Sequence, residues 1–257
     1  MTQLEVKKAL LSAGVENAAI EAPLLCEKLD GDALEDAVRR RCDGYPLQYL
    51  LGEWCFYREN YEVSEDCLIP RSDTEILVEQ AVRLLPPNAR FLDLCTGSGC
   101  VAISTLCARP DAEAVAVDLF ENTLALAERN AIRNGVVSRM TTLQADVLCD
   151  PPLALSEQRF DAILSNPPYI RTEVMAELQR EVQFEPAAAL CGGEDGLDFY
   201  RDIIKRWGPL LQAEGFFLFE IGYDQASDLC EIGEKYGFSH TVWRDYGGND
   251  RVVRLQK

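Results

Sequence analysis

Asp93-Leu94-Cys95-Thr96-Gly97-Ser98-Gly99-Cys100 is the stretch on which the fold turns. The run ahead of it, Phe91 to Cys95, is apolar and reads as a buried strand, while Cys100 to Ala108 reads as the helix that follows. Two glycines stand between them. Lacking a Cβ, they let the backbone turn sharply and lie against a ligand. Strand, glycine turn and helix in that order make the first half of a βαβ unit, and open parallel sheets take their ligands at the strands' carboxyl ends.

Working outward, the alternation continues. A second strand is predicted at Ala114 to Val117 and a helix at Asn122 to Asn134, stopped by Gly135. Further strands follow near Met140 to Gln144, Phe160 to Leu164 and Gly215 to Ile221. A long insertion between the last two carries the helical stretches Thr172 to Phe184 and Gly196 to Leu211. Ser239 to Arg244 and Arg251 to Leu255, joined around Gly247-Gly248-Asn249-Asp250, read as a closing β-hairpin. A parallel sheet finished by a C-terminal hairpin is the layout of the class I (Rossmann-like) methyltransferases, an α/β fold.

Toward the N-terminus the pattern changes. Leu4, Leu10 and Leu11, then Leu24 and Leu25, then Leu34 and Val38 recur near helical spacing, with Asn17 as a cap for the second helix and Asp32 with Glu35 as a capping box for the third. Glu53 to Val63 reads as a hairpin around Arg58-Glu59-Asn60. Ser72 and Glu75 have capping-box spacing ahead of a helix that Pro86-Pro87 ends. The expected organisation is therefore a small N-terminal helical domain over residues 1–52, a β-hairpin linker over 53–70 and the sheet domain over 71–257.

Composition narrows the function. In 257 residues, 47% hydrophobic and 26% charged fit a globular chain rather than a disordered or membrane-spanning one. A net charge of −18 opposes binding to a phosphate backbone, since that affinity comes from Lys and Arg displacing counterions. The triplet Arg39, Arg40 and Arg41 on one helix reads as a solvated face. Ten cysteines form no C-x-x-C and His240 is the only histidine, so neither a zinc site nor a Cys-His nucleophile is expected. The first residues, with Lys7, Lys8 and Glu16, lack a signal-peptide pattern, which places the chain in the cytoplasm with reduced thiols.

The glycine turn leaves two ligand classes open. Gly97, Gly99 and Ala102 also satisfy the G-x-G-x-x-G/A pattern of nicotinamide and flavin enzymes, and Asp118 falls where a ribose-binding carboxylate belongs in either class. Asp118 therefore points to a nucleoside and does not decide the chemistry. Asp93 offers an anchor for the amino-acid end of a methyl-donor cofactor, and Asp146-Val147, after the third strand, one for adenine.

Ser165-Asn166-Pro167-Pro168-Tyr169 arrives at the same sheet edge on the fourth strand. Consecutive prolines donate no backbone hydrogen bond and fix φ, so a carbonyl near Asn166 and Pro167 can be held outward beside the Asn166 side-chain oxygen. Two such acceptors can take both N–H bonds of a substrate –NH₂ and aim its lone pair at an electrophile. Tyr169 offers an aromatic face to a planar amide or base.

Together these segments resemble the N5-glutamine methyltransferases that modify class-1 peptide chain release factors. The resemblance spans nearly the whole chain and includes Pro46 to Gly52, Leu68-Ile69-Pro70-Arg71-Ser72-Asp73-Thr74-Glu75, Glu185-Pro186 with Ala189-Leu190, and Asp195-Gly196-Leu197. The tetrad at Asn166 to Tyr169 is shared with adenine-N6 nucleic-acid methyltransferases; the segment from Ile69 to Glu75 is more specific. The resemblance implies S-adenosylmethionine as cofactor, S-adenosylhomocysteine as product, no metal, and release factors, rather than nucleic acid or membrane, as partners. The methyl acceptor it implies is the side-chain amide of the glutamine in the Gly-Gly-Gln loop. The implied cofactor site is Asp93, Thr96, Gly97, Ser98, Gly99, Asp118, Asp146, Val147 and Asn166. Asn166, Pro167 and Tyr169 are the implied catalytic residues, with Pro168, Arg71 and Thr74 joining them on the substrate. Two departures stand out: Cys95 where the family commonly has glycine, and Ser72 in place of a usual proline.

Overall fold

The computed structural model describes every residue from Met1 to Lys257. Four helices come first: α1 (Gln3–Ser12), α2 (Ala18–Lys28), α3 (Gly31–Cys42) and α4 (Leu47–Leu51). They bury Val6, Leu10, Leu25, Leu34 and Val38 against one another in a core of their own. The caps differ from expectation. Asn17 precedes α2 without a side-chain bond, and α3 starts at Gly31 behind Asp30, which puts Asp32 inside the first turn where its charge suits the helix dipole. The capping box is instead at α1, where Thr2 and Glu5 satisfy each other's backbone N–H.

Strands β1 (Glu53–Phe56) and β2 (Glu59–Glu62) form the antiparallel hairpin, followed by α5 (Glu75–Leu84). Ser72–Thr74 is a 3-10 turn rather than part of a capping box, because the Glu75 carboxylate is engaged by the Tyr57 N–H at 2.9 Å.

Then come β3 (Arg90–Leu94), α6 (Cys100–Ala108), β4 (Glu113–Asp118), α7 (Glu121–Arg133), β5 (Met140–Gln144), β6 (Phe160–Ser165), α8 (Asp198–Asp202), β7 (Leu211–Glu220), α9 (Ala226–Lys235), β8 (Ser239–Arg244) and β9 (Asp250–Gln256). The seven strands from β3 onward make one sheet in the order β5-β4-β3-β6-β7-β9-β8, parallel from β5 to β7 and antiparallel through β9 and β8. This is the class I methyltransferase layout. Cores cover both faces, one including Leu77, Ile103 and Leu218, the other including Trp207, Phe217 and Phe219.

The insertion between β6 and β7 is less regular than its composition suggests. Thr172 to Phe184 holds only 3-10 turns, with the Thr172 N–H bonded to the returning Gly193 carbonyl. Gly196 to Leu211 is broken after α8 by a π-helical turn at Ile203–Trp207, which seats Trp207 in the core with its indole N–H on the Val147 carbonyl at 3.0 Å.

Candidate active site

Strand order reverses at β3, whose neighbours are β4 on one side and β6 on the other, so the carboxyl ends of these strands diverge around a crevice. The crevice is a cavity of about 440 Å³, within the roughly 300–1,000 Å³ of small-molecule sites. Thr96, Gly97, Ser98, Asp118, Asp146, Val147, Asn166, Pro168, Arg71 and Thr74 all stand in its wall.

The glycine turn explains part of that wall. β3 ends at Leu94 because Cys95 adopts φ +59°, a left-handed conformation that costs a side chain about 1 kcal/mol or more. At Gly97 (φ +57°) a Cβ would meet nothing within 4 Å, so the backbone itself faces the cavity. At Gly99 (φ +82°) a Cβ would stand 2.8 Å from Ile103 Cδ1 and 3.2 Å from Ala127 Cβ; glycine there lets α6 and α7 close. Asp93 stands behind this wall rather than in it. Its Oδ2 accepts the Thr96 hydroxyl at 2.6 Å and the Ala102 N–H at 3.1 Å, bracing the turn. Burial pushes its carboxyl up to about 7, against the pull of those two bonds.

Asp118 closes β4 with one bond to each oxygen: Gly97 N–H to Oδ2 at 3.0 Å and Phe120 N–H to Oδ1 at 3.2 Å. Each carboxylate oxygen keeps acceptor capacity toward the cavity. Burial raises its carboxyl, while the Gly97 and Phe120 amides oppose the rise. Asp146 forms a tight turn with the Leu148 N–H at 2.9 Å, and Cys149 Sγ lies 3.7 Å from its other oxygen. Ser98 Oγ is buried without a partner. A backbone-lined turn, an orphaned hydroxyl and an aspartate with spare acceptors fit the polar groups of an adenosine-containing cofactor with an amino-acid end.

On the β6 side, Asn166 donates its Nδ2 to Thr74 Oγ1 at 3.2 Å, which leaves Oδ1 free of the chain's own donors. Pro167 is buried and does not line the cavity, unlike Asn166 and Pro168 on either side of it, and no backbone donor reaches its carbonyl. Tyr169 does not line the cavity: its hydroxyl reaches Glu220 Oε1 at 3.4 Å, and burial raises its phenol. The insertion supports the tetrad through reciprocal bonds, Ile170 N–H to Leu190 O and Gly192 N–H to Ile170 O. Gly196 permits this approach, since a Cβ there would sit 2.3 Å from the Tyr169 carbonyl. Arg71 reaches the cavity paired to Glu185, whose other oxygen accepts the Ile69 N–H at 3.0 Å.

Several wall residues had no assigned role in the sequence: Cys67, Leu68, Thr123, Pro186 and Phe199. Apolar wall positions look like any core residue along a chain. Glu220 and Gln225 do carry a signal. A glutamate ending the apolar run Phe216-Phe217-Leu218-Phe219 is a buried carboxylate in need of partners. Gln225, 2% exposed, ties the Tyr169 and Gly196 carbonyls together at 3.0 and 3.2 Å.

Residues 72–190 match the family described as the methyltransferase small domain. The chain is 39% identical to a release factor glutamine methyltransferase of Geobacter sulfurreducens, over 95% of this chain and 91% of that protein. It is 41% identical to a release factor glutamine methyltransferase of Salmonella typhimurium, over 86% of this chain and 78% of the other. Among solved structures, a methyltransferase from Pyrococcus furiosus shares the fold, with a TM-score of 0.59 at 18% identity over 77% of this chain and 88% of that one.

Proposed function

This chain belongs to the release factor glutamine methyltransferase family, and from that premise we propose that it methylates the side-chain amide nitrogen of the glutamine in the Gly-Gly-Gln loop of class-1 release factors. When bound, S-adenosylmethionine supplies the sulfonium methyl and leaves as S-adenosylhomocysteine. The observation that carries the assignment is the free Oδ1 of Asn166 at the rim of the cavity, its Nδ2 held back by Thr74.

The protein's own residues divide the work. Asp118 has acceptors for ribose hydroxyls, Asp146 and Val147 border the place for adenine, and the turn from Thr96 to Ser98 borders that for the methionine end, with Ser98 Oγ its unpartnered polar atom; Gly99 stands outside this wall. Asn166 Oδ1 and the Pro167 carbonyl are suited to take the two N–H bonds of a glutamine amide. An amide lone pair is delocalised and a poor nucleophile, so fixing both N–H directions favours the geometry in which it faces the methyl. Pro168 in the wall and Tyr169 behind it stiffen that grip; Arg71 and Thr74 border the substrate side. No strong base is needed, because the nitrogen turns acidic only as its new bond forms. The single histidine, His240, lies on the edge strand β8 beside Glu234 at 3.3 Å.

Incubation with methyl-labelled S-adenosylmethionine and a release factor, wild type or with its loop glutamine replaced, tests this directly. Label is expected in the wild-type factor alone; equal labelling of both would refute the assignment. Label appearing in DNA or RNA instead would favour the adenine chemistry that the same tetrad serves elsewhere.

A further inference from the structure

β7 runs through Phe216, Phe217, Leu218 and Phe219 and ends on Glu220, which is 1% exposed. Ser165 pairs with Phe219 in the β6–β7 ladder, so Glu220 is the strand neighbour of Asn166. One oxygen, Oε1, lies 3.4 Å from the Tyr169 hydroxyl; the other, Oε2, is buried without a partner. Thr74, 2% exposed, lies against the same carboxylate and accepts Asn166 Nδ2 at 3.2 Å. A hydroxyl that accepts one bond directs its own proton elsewhere, and the carboxyl beside Thr74, Glu220, has in Oε2 a buried acceptor still without a partner.

We propose that Glu220 is a positioning residue for the methyl transfer: its carboxylate accepts a hydrogen bond from the Thr74 hydroxyl, turns Thr74 Oγ1 toward the Asn166 –NH₂, and so holds Asn166 Oδ1 toward the cavity. This rests on the function proposed above. An asparagine amide occupies nearly the same space when rotated by half a turn, so shape alone does not choose its orientation. The choice is decisive for chemistry. Rotated, Asn166 presents a donor to a substrate –NH₂ that is itself a donor, and one of two acceptors disappears.

Protonation reverses the relay. A protonated Glu220 can donate a hydrogen bond to Thr74 Oγ1, and the Thr74 hydroxyl then donates its own to Asn166 Oδ1, which favours the rotated amide. Burial pushes the Glu220 carboxyl up to about 7; Thr74, Arg251 and Tyr169 oppose the rise and Asp73 adds to it. Tyr200 on α8 and Cys100 on α6 complete the ionisable groups around it. The ionised form holds the competent orientation, which is present above that value and lost as pH falls through it.

The test follows the side-chain amide ¹⁵N–H signals of Asn166 in the full chain across pH, which requires no turnover, alongside kcat against pH. In the wild type both should inflect near 7, in line with the Glu220 carboxyl. Glu220→Gln should remove both inflections and lower kcat roughly ten- to a hundredfold, the scale of weakening one oriented acceptor. KM for S-adenosylmethionine should stay within about twofold, a split that general loosening of the fold does not produce. Thr74→Ser should keep the inflections and Thr74→Val abolish them, a pair that carries the test should Glu220→Gln fail to fold. Asn166 signals indifferent to both Glu220→Gln and Thr74→Val, or wild-type kcat and pH profile in Glu220→Gln, would overturn the proposal. A wild-type protein that labels no release-factor glutamine yet shows the Asn166 inflection would instead overturn the assigned reaction and leave the relay standing.

Discussion

Replacing Asp118 with alanine separates cofactor binding from chemistry. Both oxygens of Asp118 already hold one backbone N–H, from Gly97 at 3.0 Å and Phe120 at 3.2 Å, so the spare capacity is about one cavity-facing bond on each. A hydrogen bond to a charged group contributes about 1.5–3 kcal/mol net. Two such bonds do not sum to twice that figure, because the alanine variant admits water that partly serves the ribose hydroxyls. A total near the single-bond range corresponds to roughly 12- to 160-fold weaker binding. The Gly97 and Phe120 amides freed by the change open onto the same cavity and find water there, which limits the cost to folding. Ribose lies away from the reacting atoms and is held equally before and during transfer, so the loss should fall on affinity and KM while kcat survives. Calorimetry with S-adenosylhomocysteine and turnover at saturating S-adenosylmethionine measure the two halves. Unchanged affinity, or a kcat that falls as far as kcat/KM, would refute the assignment of Asp118 to the ribose.

Three further outcomes are expected. Asn166→Ala should lower kcat by about 10²- to 10³-fold, as removal of one oriented polar partner does in other enzymes, and near-normal turnover at saturating substrates would contradict its role. Glu21→Ala should destabilise the N-terminal helices by about 3 kcal/mol in urea titration, at the lower end for a broken buried pair because Arg41 keeps Glu181 at 2.8 Å; wild-type stability would show that the pair contributes nothing. The third concerns Asp93, whose folded carboxyl sits at about 7 against an ordinary 3.8. Between those values the folded protein binds more protons than the unfolded chain, so this residue's contribution to stability falls as pH rises across the window. Asp93→Asn removes that dependence, and its stability relative to wild type should improve from pH 5 to pH 8. A constant difference would refute the inference.

Much of this architecture was legible because periodicity and punctuation agree. Cys100–Ala108 and Met140–Gln144 have the bounds their patterns predict, the first because Gly99 and Arg109 flank a mostly apolar run, the second because Met140 and Leu143 stand among β-branched threonines. The apolar pattern carries the strand on to Cys95 because a cysteine gives no warning of φ +59°. α9 leaves little trace in the sequence: Ala226 to Lys235 has its large apolar positions at Leu229, Cys230 and Ile232, too few to stand out. The insertion misled for a different reason, since its shape is set by long-range bonds such as Thr172 to Gly193 rather than by local propensity. At the site, residues marked by turn chemistry, Gly97, Asp118 and Asn166, stand in the cavity wall. What the sequence could not convey is depth. Asp93 and Tyr169 lie behind that wall, and Glu220 and Gln225, far along the chain, brace the tetrad from β7 and the turn after it.

The Arg41 guanidinium bears on how relatives of this chain could be recombined. It is held by Glu21 of α2 at 2.6 Å, by the Tyr45 carbonyl at 3.3 Å and by Glu181 of the insertion at 2.8 Å, while Tyr45 packs edge-on to Phe184 at 5.3 Å. A chimera that grafts a foreign N-terminal segment onto this sheet must therefore import residues 181–184 from the same donor. Otherwise Glu181 is left at the seam without the cation it pairs with.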